Sequence, residues 1–146
     1  MKNKIKHIFF IIVFLSIFQA VFSDDQFIFE SKTIEYKDNE NTIVAKGNVK
    51  ITSSDSITLK ADESKYFKLS NKLILRGNVQ IIDTNRKVII QSDKIEYEKD
   101  IELIKSDSKT KIKLDDNYVI DTSSINYFRL KKVLSSDNRT TLTDRF

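Results

Sequence analysis

The chain has 146 residues, a formal net charge of +4, no cysteine, no proline and only two glycines. That length fits one domain, which no disulfide can staple, and the single histidine, His7, stands near the start. The body of the chain therefore lacks the commonest general base, metal ligand and nucleophile, so no catalytic residue, metal or cofactor is expected.

Residues 1–23 read as an export leader. Lys2, Lys4 and Lys6 form a basic start, residues 8–18 are apolar except for Ser16, and Val21-Phe22-Ser23 offers modest side chains where a signal peptidase reads. Cleavage is placed after Ser23, leaving residues 24–146 as the working domain. The apolar run falls short of the roughly 20 residues of a spanning helix, although extension through Gln19 to Val21 would make it a retained anchor. No cysteine lies at the cleavage point to carry a lipid. Of the 25 basic residues three lie in the leader, which leaves one basic residue more than the 21 acidic ones. The high isoelectric point thus belongs mainly to the leader, and no nucleic-acid partner is expected.

From Asp24 onward the pattern is β, with abundant Ile, Val, Thr, Tyr and Phe in alternation. The pairs Asp24-Asp25 and Asp115-Asp116 read as solvated turn residues. Tyr36, Tyr66, Tyr97 and Tyr127 recur at spacings of 30, 31 and 30, a period that marks stacked copies of one small unit. Seven residues before each stands Phe29, Leu59, Ile90 or Ile120. Five before stands a small residue, Ser31, Ala61, Ser92 or Thr122. Two before stands Ile34, Ser64, Ile95 or Ile125. These positions share one face only if a residue is slipped between minus five and minus two, as in a β-bulge, and Asp62 and Asp93 sit at that slip.

After each tyrosine a polar loop, such as residues 37–41, leads to a second strand over residues 42–46, 72–76, 102–107 or 132–136. Gly47-Asn48 and Gly77-Asn78 follow in the first two units, with Ser108 and Asn138 in the glycine slot of the others. Val49 and Ile51, Val79 and Ile81, Thr110 and Ile112, and Thr140 and Leu142 come next. A Gly-Asn break permits a tight hairpin or one long strand bent at a glycine bulge. The bend is preferred, because it points the apolar residues on both sides inward together.

The inward set is then Ile34, Tyr36, Ile43, Val49, Ile51, Leu59, Tyr66, Leu73, Leu75, Val79, Ile81, Ile90, Ile95, Tyr97, Ile112, Leu114, Ile120, Ile125, Tyr127 and Leu142. Lys, Asp, Glu, Ser and Asn fill the other face, so single units cannot hide their apolar side and must stack. Such an interior either closes on itself as a dry core or encloses an apolar ligand. The tyrosines read as core residues whose hydroxyls reach the rim. Lys46, Lys50 and Arg76 solvate a strand edge or meet phosphates of a ligand. Asn138-Arg139-Thr140 is a formal glycosylation sequon with nothing else in its support.

The string Lys60-Ala61-Asp62-Glu63-Ser64-Lys65-Tyr66, followed 11 positions after its tyrosine by Gly77-Asn78-Val79, resembles the OstA-like repeat of the lipopolysaccharide-transport proteins LptA, LptC and the N-terminal domain of LptD. Ile34-Glu35-Tyr36 with Gly47-Asn48-Val49 resembles it again, and residues 92–97 resemble its first half. The third and fourth units depart by losing the glycine. The resemblance implies an all-β fold: a twisted, open β-jellyroll of four antiparallel repeats of about 30 residues. It implies a periplasmic protein associated with the outer membrane. Its inward residues, Ile34 through Ile112, would shelter the acyl chains of lipopolysaccharide. Its edge strands would pair with other jellyrolls of the transport bridge. The sequence stops at Phe146, just after the fourth unit, which favours an N-terminal fragment of LptD over LptA or LptC. A structural β-repeat protein of the cell envelope, with a closed core and no lipid cargo, is the alternative.

Overall fold

The computed structural model describes residues 27–115 and 117–144; the leader and its cleavage point lie outside the described residues. Twelve strands follow in chain order: β1 (Ile28–Glu30), β2 (Thr33–Lys37), β3 (Thr42–Thr52), β4 (Ile57–Phe67), β5 (Lys72–Asp83), β6 (Val88–Glu98), β7 (Leu103–Ser106), β8 (Thr110–Leu114), β9 (Tyr118–Thr122), β10 (Ile125–Phe128), β11 (Val133–Ser135) and β12 (Thr141–Asp144). Every pairing is antiparallel. The strands form one sheet folded into eight V-shaped rungs.

β3 to β6 each run a whole rung and bend near mid-length. The outer rungs are split at the same level, into β1 and β2 at one end and into β7 with β8, β10 with β9, and β11 with β12 at the other. Each V has two arms, so the stack has two wings. Wing A contains β2, β7, β10 and β11 with one half of each long strand. Wing B contains β1, β8, β9 and β12 with the other halves. This is a twisted antiparallel β-jellyroll, open because the two end rungs among the described residues do not pair with each other.

The bend has a local cause. Register slips between Lys46 and Val49 of β3, and between Arg76 and Val79 of β5. Gly47 and Gly77 have φ of +78° and +74°, and the asparagines after them, Asn48 and Asn78, have φ of +52° and +47°. Two consecutive left-handed residues redirect the strand; glycine adopts this region without a Cβ penalty, and asparagine tolerates it. The long bent strand, rather than the hairpin, is therefore what Gly-Asn encodes.

Where the glycine is missing, hydroxyls take over. Ser92, Ser106, Ser108 and Thr110 form a cluster at the third bend, with Ser92 Oγ 2.8 Å from both Ser106 Oγ and Ser108 Oγ. At the fourth, Thr122 Oγ1 lies 2.8 Å from Ser136 Oγ, and Asn138 Nδ2 donates to Ser124 Oγ at 2.8 Å. These groups bind the loosened backbone, for example Thr110 Oγ1 to the Ser108 carbonyl at 2.7 Å.

At the far tip of wing A a 3-10 turn closes each of the first three hairpins, Asp38–Glu40, Lys68–Ser70 and Lys99–Ile101. The residue five after each tyrosine (Asn41, Asn71, Glu102, Lys132) has positive φ. The loops are bonded to one another in series: Lys68 N donates to the Asn41 carbonyl, Lys99 N to that of Asn71, and Arg129 N to that of Glu102, at 2.9–3.0 Å.

Candidate functional site

Register brings the inward residues into rows that run along the stack. In wing A, Tyr36, Ile43, Tyr66, Leu73, Tyr97, Ile104, Tyr127 and Leu134 stand opposite one another in turn. In wing B the matching row is Phe29, Ile51, Leu59, Ile81, Ile90, Ile112, Ile120 and Leu142. Cross-strand pairs of aromatic and aliphatic side chains are what stabilises a sheet face. Except for Tyr36, Ile43 and Leu142, the two rows belong to one cluster between the wings, which also takes in Val49, Leu75, Val79, Ile95 and Ile125.

The inner rungs are dry. Val49, Ile51, Leu59, Leu73, Leu75, Val79, Ile81, Ile90, Ile95, Tyr97 and Ile112 are buried, while Ile43 and Tyr66 are half-buried. The end rungs differ. Ile34 and Tyr36 on β2 and Leu142 on β12 face inward by register, yet Tyr36 is 51% and Leu142 60% exposed. Among the described residues only one neighbouring strand flanks each, so these members of the expected set lie at open ends rather than in a covered interior. Two of the four tyrosine hydroxyls bond at the tips: Tyr66 donates to Asn71 Oδ1 and Tyr97 to Glu102 Oε2, both at 2.8 Å.

The tips of the two wings meet across the mouth of the V. Phe27, just before β1 in wing B, packs edge-on against Tyr66 and Tyr97 of wing A, with ring centroids 5.3 and 6.1 Å away. Arg129, in the turn after β10, is 0% exposed. Its Nε donates to Asp83 Oδ2 at 2.9 Å, and its Nη1 to Asp55 Oδ2 at 2.7 Å, to the Tyr97 hydroxyl at 2.9 Å and to Glu102 Oε2. Asp55 and Asp83 lie at the tip of wing B, Glu102 and Tyr97 in wing A. Burial alone would lower the Arg129 pKa, but Tyr97 and the surrounding carboxylates raise it, so the group stays charged. Burial pushes the Tyr97 phenol well above its ordinary range.

Sequence reasoning missed Arg129. It stands two residues after Tyr127, in a polar loop where Asp38, Lys68 and Lys99 hold similar places in exposed or half-exposed turns. One signal was present: Asp83 continues the inward alternation of Val79 and Ile81, and an acid at an inward position asks for a buried partner.

Of the lysines and arginine considered for phosphate contact, Lys46 pairs with Glu63 at 3.4 Å and Lys50 with Glu30 at 2.8 Å, on the outer surface. Among the described residues no group of three or more His, Cys, Asp or Glu is arranged to hold a metal ion.

The family model for OstA-like protein matches residues 15–106. The chain belongs to the OstA-like family. The match takes in both Gly-Asn bends and ends at Ser106, where the glycine-free bend of this OstA-like chain begins. Among solved structures its fold is similar to that of LptH, the LptA homologous periplasmic component of the lipopolysaccharide transport device of Pseudomonas aeruginosa. The TM-score is 0.70 at 13% identity, over 82% of this chain and 95% of that one. No curated protein matches the sequence.

Proposed function

We propose that this OstA-like jellyroll is a periplasmic carrier in lipopolysaccharide transport, sheltering acyl chains between its wings and docking through its end rungs to neighbouring jellyrolls. The observation that carries the reading is the pair of continuous apolar rows left uncovered at both ends of the stack. Rows of Ile, Leu, Val and Tyr hold a lipid tail by burial alone, at roughly 0.8 kcal/mol per CH₂. Such contacts are non-directional, so a tail can slide along them. The likeness to LptH over nearly all of that chain supports a bridge component of the LptA kind, beside the LptD N-terminal domain that the sequence favoured.

The test is photo-crosslinking. A photoreactive residue at Leu75, Val79, Ile81 or Ile95 captures lipopolysaccharide in cells, and one at Lys65 or Lys94 does not. Equal capture from both sets would overturn the reading. The dryness of the inner rungs favours a second reading, a structural β-stack with a closed core. That protein would bind no apolar fluorophore and carry no lipid through purification.

A further inference from the structure

The carrier reading leaves a physical problem: the inner rungs are covered, so a tail must enter somewhere. Two features of the mouth bear on this. The first is the Arg129 cluster, a fully buried guanidinium bonded at once to Asp83 and Asp55 of wing B and to Tyr97 and Glu102 of wing A. It ties the wings together across the mouth of the V, where no described strand joins them. The second is a cleft of about 350 Å³ beside it, between the same tips. Val88, Leu114, Tyr127 and Leu134 form an apolar floor, and Arg86, Lys87 and Lys132 line its rim as three cations against the single acid Asp115. Asp115, the acid on that rim, is paired with Lys87 at 3.4 Å. Arg86 joins cleft to cluster, since its Nε donates to the Arg129 carbonyl at 3.0 Å and its Nη1 to Asp83 Oδ2 at 3.2 Å.

An apolar floor under a cationic rim suits one chemical class, a phosphate-bearing acyl lipid with its tail inward and its phosphate at the rim. We propose that this cleft is the loading port of the jellyroll and that Arg129 is the latch beside it, whose release admits the acyl chains to the interior. The proposal rests on the carrier reading and adds to it a place of entry and a residue that controls entry. The energetics fit a latch. A buried guanidinium with three carboxylates around it is stable only while its partners stay in reach. Parting the tips replaces all its bonds in one step, so the mouth has two states rather than a continuous range.

The experiment uses the full chain with a photoreactive residue at Leu134 in the port, at Leu75 in the interior or at Lys65 outside. The probes are lipid A, phosphatidylglycerol and, as the neutral control, diacylglycerol. Leu134 should capture lipid A and phosphatidylglycerol, with lipid A the larger signal if the rim holds two phosphates, and capture diacylglycerol poorly. Arg129→Met should raise the rate of capture at Leu75 about tenfold while leaving capture at Leu134 nearly unchanged. Because Arg129→Met can also fail to fold, a second arm places cysteines at Asp55 and Glu102, both of which contact Arg129 Nη1. Closing this pair with a short thiol-cleavable linker should abolish capture at Leu75 and spare Leu134; reduction should restore it.

Capture at Leu75 that ignores both the linker and Arg129→Met overturns the latch while the carrier reading stands. Equal capture of diacylglycerol at Leu134 overturns the port's chemistry. No capture at Leu134 or Leu75 in any form removes the carrier reading itself.

Discussion

Asp62 of β4 fills the space that a side chain at Gly77 of β5 would need: a Cβ built there lies 2.4 Å from Asp62 Oδ2. The same oxygen accepts a hydrogen bond from Asn78 Nδ2 at 2.8 Å. The Gly-Asn bulge of β5 is thus keyed into the slip of β4; at Gly47 the matching place is held by Lys32, and in the unit with Asp93 the glycine slot is Ser108. Gly77→Ala should destabilise the protein by about 1–3 kcal/mol, through positive φ and the clash, and Gly77→Val by more. Gly47→Ala should cost less, since there the obstacle is the flexible Lys32 side chain. Thermal melts of both series check this; equal losses at the two positions would contradict the keyed bulge.

The latch predicts an acid response. Burial pushes the Asp55 carboxyl up, but the hydrogen bond and charge of Arg129 outweigh it, and its pKa lies below the ordinary value. The unfolded chain, near 3.9 for aspartate, then binds more protons than the folded one in the interval between the two values. This contribution to stability is present in full above about pH 4–5 and is lost as pH falls through the depressed value. Melting temperature should therefore drop on acidification below that point. Asp55→Asn should be less stable at neutral pH and should flatten that part of the profile. An unchanged profile in the variant would remove Asp55 from the acid response.

The hydroxyl cluster at the third bend should be stability-bearing. Ser106 Oγ lies 2.8 Å from Ser92 Oγ and receives Thr110 Oγ1 at 3.0 Å, all three residues being buried. Ser106→Ala takes one partner each from Ser92 and Thr110, which keep their bonds to Ser108 and to each other, and should cost about 0.5–1.5 kcal/mol in chemical denaturation. A neutral Ser106→Ala would mean that the bend is held by backbone pairing alone.

Core and end positions should separate in the isolated protein. Leu75→Ala, at a fully buried site, should cost about 2–5 kcal/mol. Leu142→Ala, at an exposed one, should stay within about 0.5 kcal/mol. The difference follows from stacking: one lies between covered rungs and the other in an end rung. Urea titrations of both variants check it.

What the sequence made legible was whatever repeats. The tyrosine period placed the four units, the Gly-Asn slots placed the bends, and the slip at Asp62 and Asp93 matched the register shifts of β4 and β6 against β5. Non-repeating contacts were hidden. Arg129 meets Asp83 and Asp55 across 46 and 74 residues, and no local pattern marks one loop arginine as the buried one. The left-handed tip at Glu102 and Lys132 was hidden for a different reason. Neither residue favours positive φ, and each is held there by the repeat's geometry. The end rungs were placed as inward-facing, but whether an inward residue is covered depends on what stacks above it, and no described strand stacks above β2 or β12.

That missing neighbour is the basis of the last prediction, that the jellyroll joins another at its end rungs. Among the described residues β12 pairs only with β9, and all four of its residues are exposed; β1 pairs only with β3. An unpaired edge offers a row of donors and acceptors to another sheet. Consecutive N–H groups along a strand point to opposite sides, so of the two variants Leu142→Pro and Thr143→Pro one removes an outward donor and the other a donor toward β9. The first should abolish pull-down of a neighbouring transport jellyroll and leave the circular dichroism spectrum unchanged. The second should loosen β12 and lower the melting temperature slightly. Ile28→Pro and Phe29→Pro make the same pair at the other end, and each end should fail independently of the other, because the inner rungs keep their partners. Docking and lipopolysaccharide delivery that survive all four variants would show that the contact is face to face, and that the exposed edges of β1 and β12 serve some other purpose.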